Sequence, residues 1–132
     1  KEVVKRKFIE ANKILPFFDF AIMSDEDFPQ MGKLARTWVK ESKIKVIITL
    51  GEKGALIIER NKETIIPTIP VAPDKIVDSV GSGDIFSAGF AFKYIRTKNI
   101  VRAAEFGNKL AYVNLFYPSD KIQTKLTETF IP

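Results

Sequence analysis

Apolar residues recur along this chain in steps of three and four, then in short unbroken runs, and the two patterns alternate. Val4, Phe8, Ala11 and Leu15 mark one face of a helix over residues 3–15, which Pro16 stops. Phe17-Phe18-Asp19-Phe20-Ala21-Ile22-Met23 has the length and character of a buried strand. Leu34, Trp38 and Val39 form the apolar face of a helix running to about residue 43, and the β-branched run Lys45-Val46-Ile47-Ile48-Thr49-Leu50 is the clearest central strand. Gly51-Glu52-Lys53-Gly54 turns this strand into a second one over 55–59, as a hairpin. Residues 64–77 read as extended, and Pro67 and Pro70 assign them to an edge or a connection.

Two helices complete the pattern. The first spans residues 84–96, with Ile85, Phe86, Phe90, Tyr94 and Ile95 on one side and Ala88, Gly89 and Ala91 allowing close packing. After a turn at Lys98-Asn99, the second spans 100–117 with Val101, Ala104, Leu110, Ala111, Val113 and Leu115 as apolar positions, and Pro118 ends it. Alternating helices and strands predict an α/β fold, a largely parallel sheet with flanking helices.

Composition narrows the chemistry. A chain of 132 residues, 45% hydrophobic and 28% charged, suits one folded domain, 1–132. Neither cysteine nor histidine occurs, which removes disulfides, thiolate nucleophiles, imidazole bases and the usual zinc and copper sites. Carboxylates remain as general bases and hard cations such as Mg²⁺ as metals. No apolar run is long enough to span a membrane and no cysteine points to an oxidising compartment, so the expectation is a cytoplasmic protein with no membrane partner. The net charge of +5 suits either nucleic acid or an acidic small molecule such as ATP. Its lysines are interspersed with acids, and no basic-aromatic alternation accompanies Lys5-Arg6-Lys7 or Lys93, Arg96, Lys98 and Arg102, so nucleic acid is not the expected partner.

The chemistry concentrates at Asp78-Ser79-Val80-Gly81-Ser82-Gly83-Asp84, which opens straight into the apolar helix. Helix amino-terminal N–H groups lack intrahelical partners and carry the positive end of the helix dipole, so the amides of residues 81–84 suit an anion such as phosphate. The same residues would serve as a plain turn and cap, with Ser82 or Asp84 capping. An acid beside an anion site opposes phosphate binding unless it takes a proton or holds a cation, which favours a functional role. Ser24-Asp25-Glu26-Asp27, after the first strand, has the form of a capping box with Asp in place of Glu.

The stretch from Asp78 resembles the carboxyl-terminal signature of the ribokinase-like (PfkB) sugar kinases. Asp78, Ser79, Gly81, Gly83, Asp84, Phe86, Ala88 and Gly89 fall in place without a gap, and Thr49-Leu50-Gly51 with Gly54 resembles the family's second nucleotide-binding element, in the family's order. The resemblance implies a three-layer α/β/α fold of which this chain is the carboxyl-terminal part, with the lid and amino-terminal half absent. It implies ATP-dependent phosphorylation of a sugar hydroxyl, with Asp84 as general base and the amides of Gly81, Ser82, Gly83 and Asp84 as the anion hole. ATP would bind along Thr49, Gly51 and Gly54 and beside Asn108, with Mg²⁺ held with help from Asp27 in a Ser-x-x-Asp form. Asp78 would help organise a monovalent cation (K⁺). The chain departs from the pattern at Leu115-Phe116-Tyr117-Pro118, which is bulky where many members have glycine.

Two alternatives stay open: a nucleotide-binding module without catalysis that needs a missing half, and, with less support, a basic nucleic-acid-binding domain. An exposed flank where the missing half should dock predicts homodimerisation or docking with that half.

Overall fold

A computed structural model describes residues 8–118, so the first turns of the helix expected over 3–15 lie outside the described residues. The elements are α1 (Ala11–Ile14), β1 (Phe20–Ser24), α2 (Met31–Ser42), β2 (Lys45–Thr49), β3 (Ala55–Glu59), β4 (Lys62–Ile66), α3 (Ser82–Thr97) and α4 (Ile100–Asn114). They divide into two compact units, one taking in residues up to Gly51 with Ala55–Ile65, the other Glu52–Gly54 with the chain from Ile66 onward.

The first unit holds the sheet, in the order β1-β2-β3-β4. β1 and β2 run parallel, whereas β2 and β3 run antiparallel, so the sheet is mixed rather than largely parallel. The glycine turn is responsible: a short link after β2 can only return the chain beside the strand it has just left. Val46 and Ile48 of β2 and Ile58 of β3 join Met31, Ala35, Trp38 and Val39 of α2 in one apolar core with Ala11, Leu15 and Ile44. The spacing of the α2 residues explains the match, since positions 31, 35, 38 and 39 share one helical face. Ile47 and Ile57, paired across the ladder, point the other way and are also buried, so both faces of the central strands are covered. Arg36 on α2 grips Glu63 on β4 through two bonds, Nε to Oε1 at 2.6 Å and an Nη to Oε2 at 2.9 Å.

Three boundaries differ from the sequence expectation. Pro16 sits inside a 3₁₀ turn over Leu15–Phe17, and β1 begins three residues later than expected, leaving Phe17 and Phe18 exposed. A fourth strand, β4, starts at Lys62, two residues before the stretch expected to be extended, and ends at Ile66 because Pro67 cannot donate to a ladder. α4 ends at Asn114, before Pro118 could interrupt it.

The second unit is built on an αα-hairpin of α3 and α4. Lys98 caps α3 in the left-handed conformation, and the Asn99 side chain accepts from Arg102 N at 3.0 Å to start α4. Small residues set the approach of the helices: a Cβ on Gly107 would stand 2.8 Å from the Phe86 carbonyl oxygen, and one on Gly89 3.3 Å from the Gly107 Cα. Phe86 and Phe90 are buried, whereas Ile95, expected on the same side, is 66% exposed because it has rotated past the stripe.

Candidate active site

Within the first unit, the carboxyl ends of the parallel strands bring Ser24, Asp27 and Thr49 together. Ser24 and Thr49 are register partners, Thr49 Oγ1 donates to Met23 O at 3.3 Å, and Asp25 N donates to Thr49 O at 3.0 Å. Ligands of open α/β sheets bind beyond this end of the strands. Asp27 Oδ2 accepts from Ser24 N at 2.7 Å, and Ser24 Oγ accepts from Glu26 N at 3.2 Å. These are capping-box bonds, but they close a turn instead of a helix, because α2 starts only at Met31, after Gln30. Asp27 is exposed and keeps a second carboxylate oxygen for a ligand.

Within the second unit, Gly54 and Asn108 meet at the chain that leaves β4. Gly54 has φ +93°, and a Cβ there would strike the Ile66 carbonyl and stand 2.9 Å from Thr68 N. Buried Asn108 donates through Nδ2 to Ile66 O at 3.0 Å and to Pro67 O at 3.3 Å. Its amide thus ties α4 to the backbone that Gly54 lies against. Gly51, which belongs to the first unit, is exposed and opens the 3₁₀ turn Gly51–Lys53.

The acidic glycine loop occupies the start of α3. Gly81 is its N-cap, in the left-handed conformation at φ +77°, and among the described residues neither the Ser82 hydroxyl nor the Asp84 carboxylate accepts from a helix N–H. The plain-cap reading therefore fails for both Ser82 and Asp84. Asp78 Oδ1 accepts from Val80 N at 2.9 Å, folding the loop on itself. Asp84, in the first turn, is exposed, and among the described residues no hydrogen bond or ion pair engages its carboxylate. Gly83 is helical, yet among the described residues no atom beyond its chain neighbours and its own helix backbone lies within 4 Å of the place its Cβ would take. Gly in a helix costs about 1 kcal/mol relative to Ala, and no neighbour among the described residues requires it here. The space it leaves is open for a ligand to approach the backbone.

One residue of this constellation had no signal in the sequence. Asn114, at the end of α4, is completely buried, and its Nδ2 donates to Val80 O at 3.2 Å and to Ser82 Oγ at 2.9 Å. In the sequence it is one amide in an apolar helix, 32 residues from Ser82.

Across residues 17–125, most of its length, the chain matches the family model described as pfkB family carbohydrate kinase. The chain belongs to the pfkB family of carbohydrate kinases. This pfkB-family chain is 38% identical over 71 residues to a ribokinase of Bacillus subtilis, covering 54% of itself and 23% of that protein. It is 33% identical over 86 residues to a cytidine kinase of Thermococcus kodakarensis, covering 65% of itself and 30% of that protein. A crystal structure of ribokinase from Thermotoga maritima superposes with a TM-score of 0.73 at 23% identity, over 88% of this pfkB-family chain and 44% of the other; the ribokinase-like fold is shared. The pfkB-family chain thus spans about a quarter to a third of the curated relatives it matches. Among its described residues, no helix is long and apolar enough to cross a membrane.

Proposed function

We propose that this chain is the nucleotide-binding and base-bearing part of a cytoplasmic kinase that transfers the γ-phosphoryl group of ATP to a hydroxyl of a sugar or nucleoside. The observation that carries this reading is the start of α3: an uncapped helix with an unengaged acid in its first turn and open space over Gly83. Family membership supplies the reaction class, and the names of the two curated relatives support a sugar or a nucleoside as acceptor.

In the proposed reaction the acceptor hydroxyl oxygen bonds to the γ-phosphorus, the bond from that phosphorus to the bridging oxygen breaks, and ADP leaves with the electron pair. Asp84 takes the hydroxyl proton. The amides of residues 81–84 stabilise charge on the transferring group, in the direction the helix dipole favours. Positioning and electrostatics carry most of such a transfer. ATP would lie along Thr49, Gly51 and Gly54, with Asn108 holding the backbone against which Gly54 rests.

Among the described residues no three acids gather into a metal cage. This still fits Mg²⁺, which keeps several waters and needs only one or two carboxylates beside substrate phosphates. Asp27 would hold it through its remaining oxygen, and when bound the ion neutralises phosphate charge. Asp78 would help organise a monovalent cation. Asp78 Oδ1 and Val80 O already accept from Val80 N and the Asn114 amide, so no step is assigned to that ion. Exposed Ile9, Phe17 and Phe18 on the first unit are consistent with a second copy, or the remainder of a longer protein, covering that flank.

The test is the product: the full polypeptide carrying this sequence, incubated with Mg²⁺ and ATP across sugars, sugar acids and nucleosides, is expected to yield one phosphorylated acceptor. ATP binding with no phosphorylated product from any acceptor would instead support a nucleotide-binding module.

A further inference from the structure

We infer that Asn114 is a positioning residue for the phosphoryl-transfer loop, and that it acts through Ser82; this rests on the function proposed above. The end of α4 holds the loop by four bonds. Leu115 O accepts from Val77 N at 2.7 Å and from Asp78 N at 3.4 Å, while Asn114 Nδ2 reaches Val80 O at 3.2 Å and Ser82 Oγ at 2.9 Å. The first two involve only backbone, and most side chains at 115 would preserve them. The second two need an amide donor at 114, and they reach the residues that flank Gly81.

The orientation of the Asn114 amide is fixed by its partners. Val80 O can only accept, so the amide must present its nitrogen to it, and the two hydrogens of Nδ2 are both spent on the loop. Its Oδ1 is buried with no hydrogen-bond partner among the described residues. Both donors of this buried amide are directed to residues 80 and 82, so the Asn114 side chain holds the loop and not its own helix.

Ser82 completes the argument. Its Oγ accepts from Asn114, which occupies a lone pair and leaves its single O–H for another acceptor. At the first residue of α3, next to the open space over Gly83, the acceptor that chemistry supplies is a phosphate oxygen. Asn114 thus sets both the path of the backbone through Gly81 and the rotamer of a hydroxyl donor to the transferred group.

The experiment uses the full polypeptide with Asn114→Leu, Ser82→Ala and the double variant, and reads kcat, acceptor KM, and the shifts that inorganic phosphate induces in the amide resonances of residues 81–84. Asn114→Leu is expected to lower kcat by about 10–100-fold with acceptor KM within about twofold, since a displacement of about 1 Å at the reacting centre costs that much. The phosphate-induced shifts should be lost with it. In the Ser82→Ala background the same substitution should cost less, because the route through the Ser82 hydroxyl is already cut and only the bond to Val80 O remains to be lost. Asn114→Ser, a smaller change, takes its place if the leucine variant does not fold, with the same expectation in reduced size. Equal losses in both backgrounds, or wild-type kcat and phosphate shifts in the variants, would overturn the inference. If the wild type transfers no phosphoryl group, the proposed function fails, and the phosphate shifts alone decide whether Asn114 organises the loop.

Discussion

Asn108 Nδ2 donates to the carbonyl of Ile66 over 3.0 Å, across 42 positions of sequence, and both ends of the bond are buried. Among the described residues it is one of two places where a side-chain amide of α4 captures backbone outside the hairpin, the other being Asn114 and Val80. Asn108→Leu removes the donor and leaves the Ile66 carbonyl unsatisfied, which should destabilise the protein by about 1–3 kcal/mol. Chemical denaturation of the variant and wild type at one pH measures the difference.

Gly107 and Gly89 face each other between α3 and α4 with unequal tolerance. A Cβ on Gly107 meets the Phe86 backbone at 2.8 Å and its ring at 2.9 Å, whereas the tightest neighbour of a Cβ on Gly89 is the Leu110 Cδ1, the end of a flexible side chain, at 2.8 Å. Alanine gains about 1 kcal/mol of helix propensity at either site. At Gly107 overpacking should exceed that gain and leave a net loss of about 1–2 kcal/mol. The Gly89→Ala loss should be smaller, and thermal unfolding of the two variants ranks them.

Gly83 should show the opposite trade. With nothing within 4 Å of its Cβ position, Gly83→Ala is expected to raise stability by up to about 1 kcal/mol, because alanine is the better helix former. The same methyl group intrudes where the proposed phosphoryl group approaches the backbone, so phosphoryl transfer should fall by at least about tenfold. Unfolding free energy and turnover are measured on one preparation. A Gly83→Ala variant with unimpaired turnover would show that the open space is not a ligand approach.

The Arg36 and Glu63 pair fixes the sign of one pH effect. The hydrogen bond from Arg36 holds the Glu63 carboxyl below its ordinary range, against the opposing effect of partial burial. A depressed folded-state pKa means that the pair's stability is present above the ordinary glutamate pKa and is lost as pH falls through the lower, folded value. Both side chains are substantially exposed, at 53% and 41%, so solvent screening limits the contribution to about 1 kcal/mol or less. The stability difference between wild type and Glu63→Gln should therefore be small at neutral pH, shrink toward zero in acid, and weaken in high salt.

The parts of the fold legible in the sequence are those fixed by local rules. Val46, Ile47 and Ile48 could only be a covered strand, and Gly51 with Gly54 marked the hairpin that follows it. The Gly81 to Asp84 stretch announced its helix start, and α3 begins within two residues of the expected position. What escaped depends on partners far away in sequence. β4 carries Lys62 and Glu63 on exposed positions and ends at a proline, so its pattern alone does not distinguish a strand from a connection. The capping-box bonds of Ser24 and Asp27 exist, but the helix they would start is displaced by Pro29 and Gln30. Asn114 is indistinguishable by spacing from a solvent-facing amide, and only the return of residues 77–82 to the end of α4 gives it a role.

Acceptor-dependent ADP formation by the full polypeptide, wild type against Asp84→Asn with ATP affinity measured in parallel, tests whether Asp84 takes the proton from the acceptor hydroxyl. The variant is expected to bind ATP as the wild type does and to lose about 10²–10⁴-fold in turnover, the range that a positioned general base contributes. Turnover of Asp84→Asn within a few-fold of wild type would contradict it.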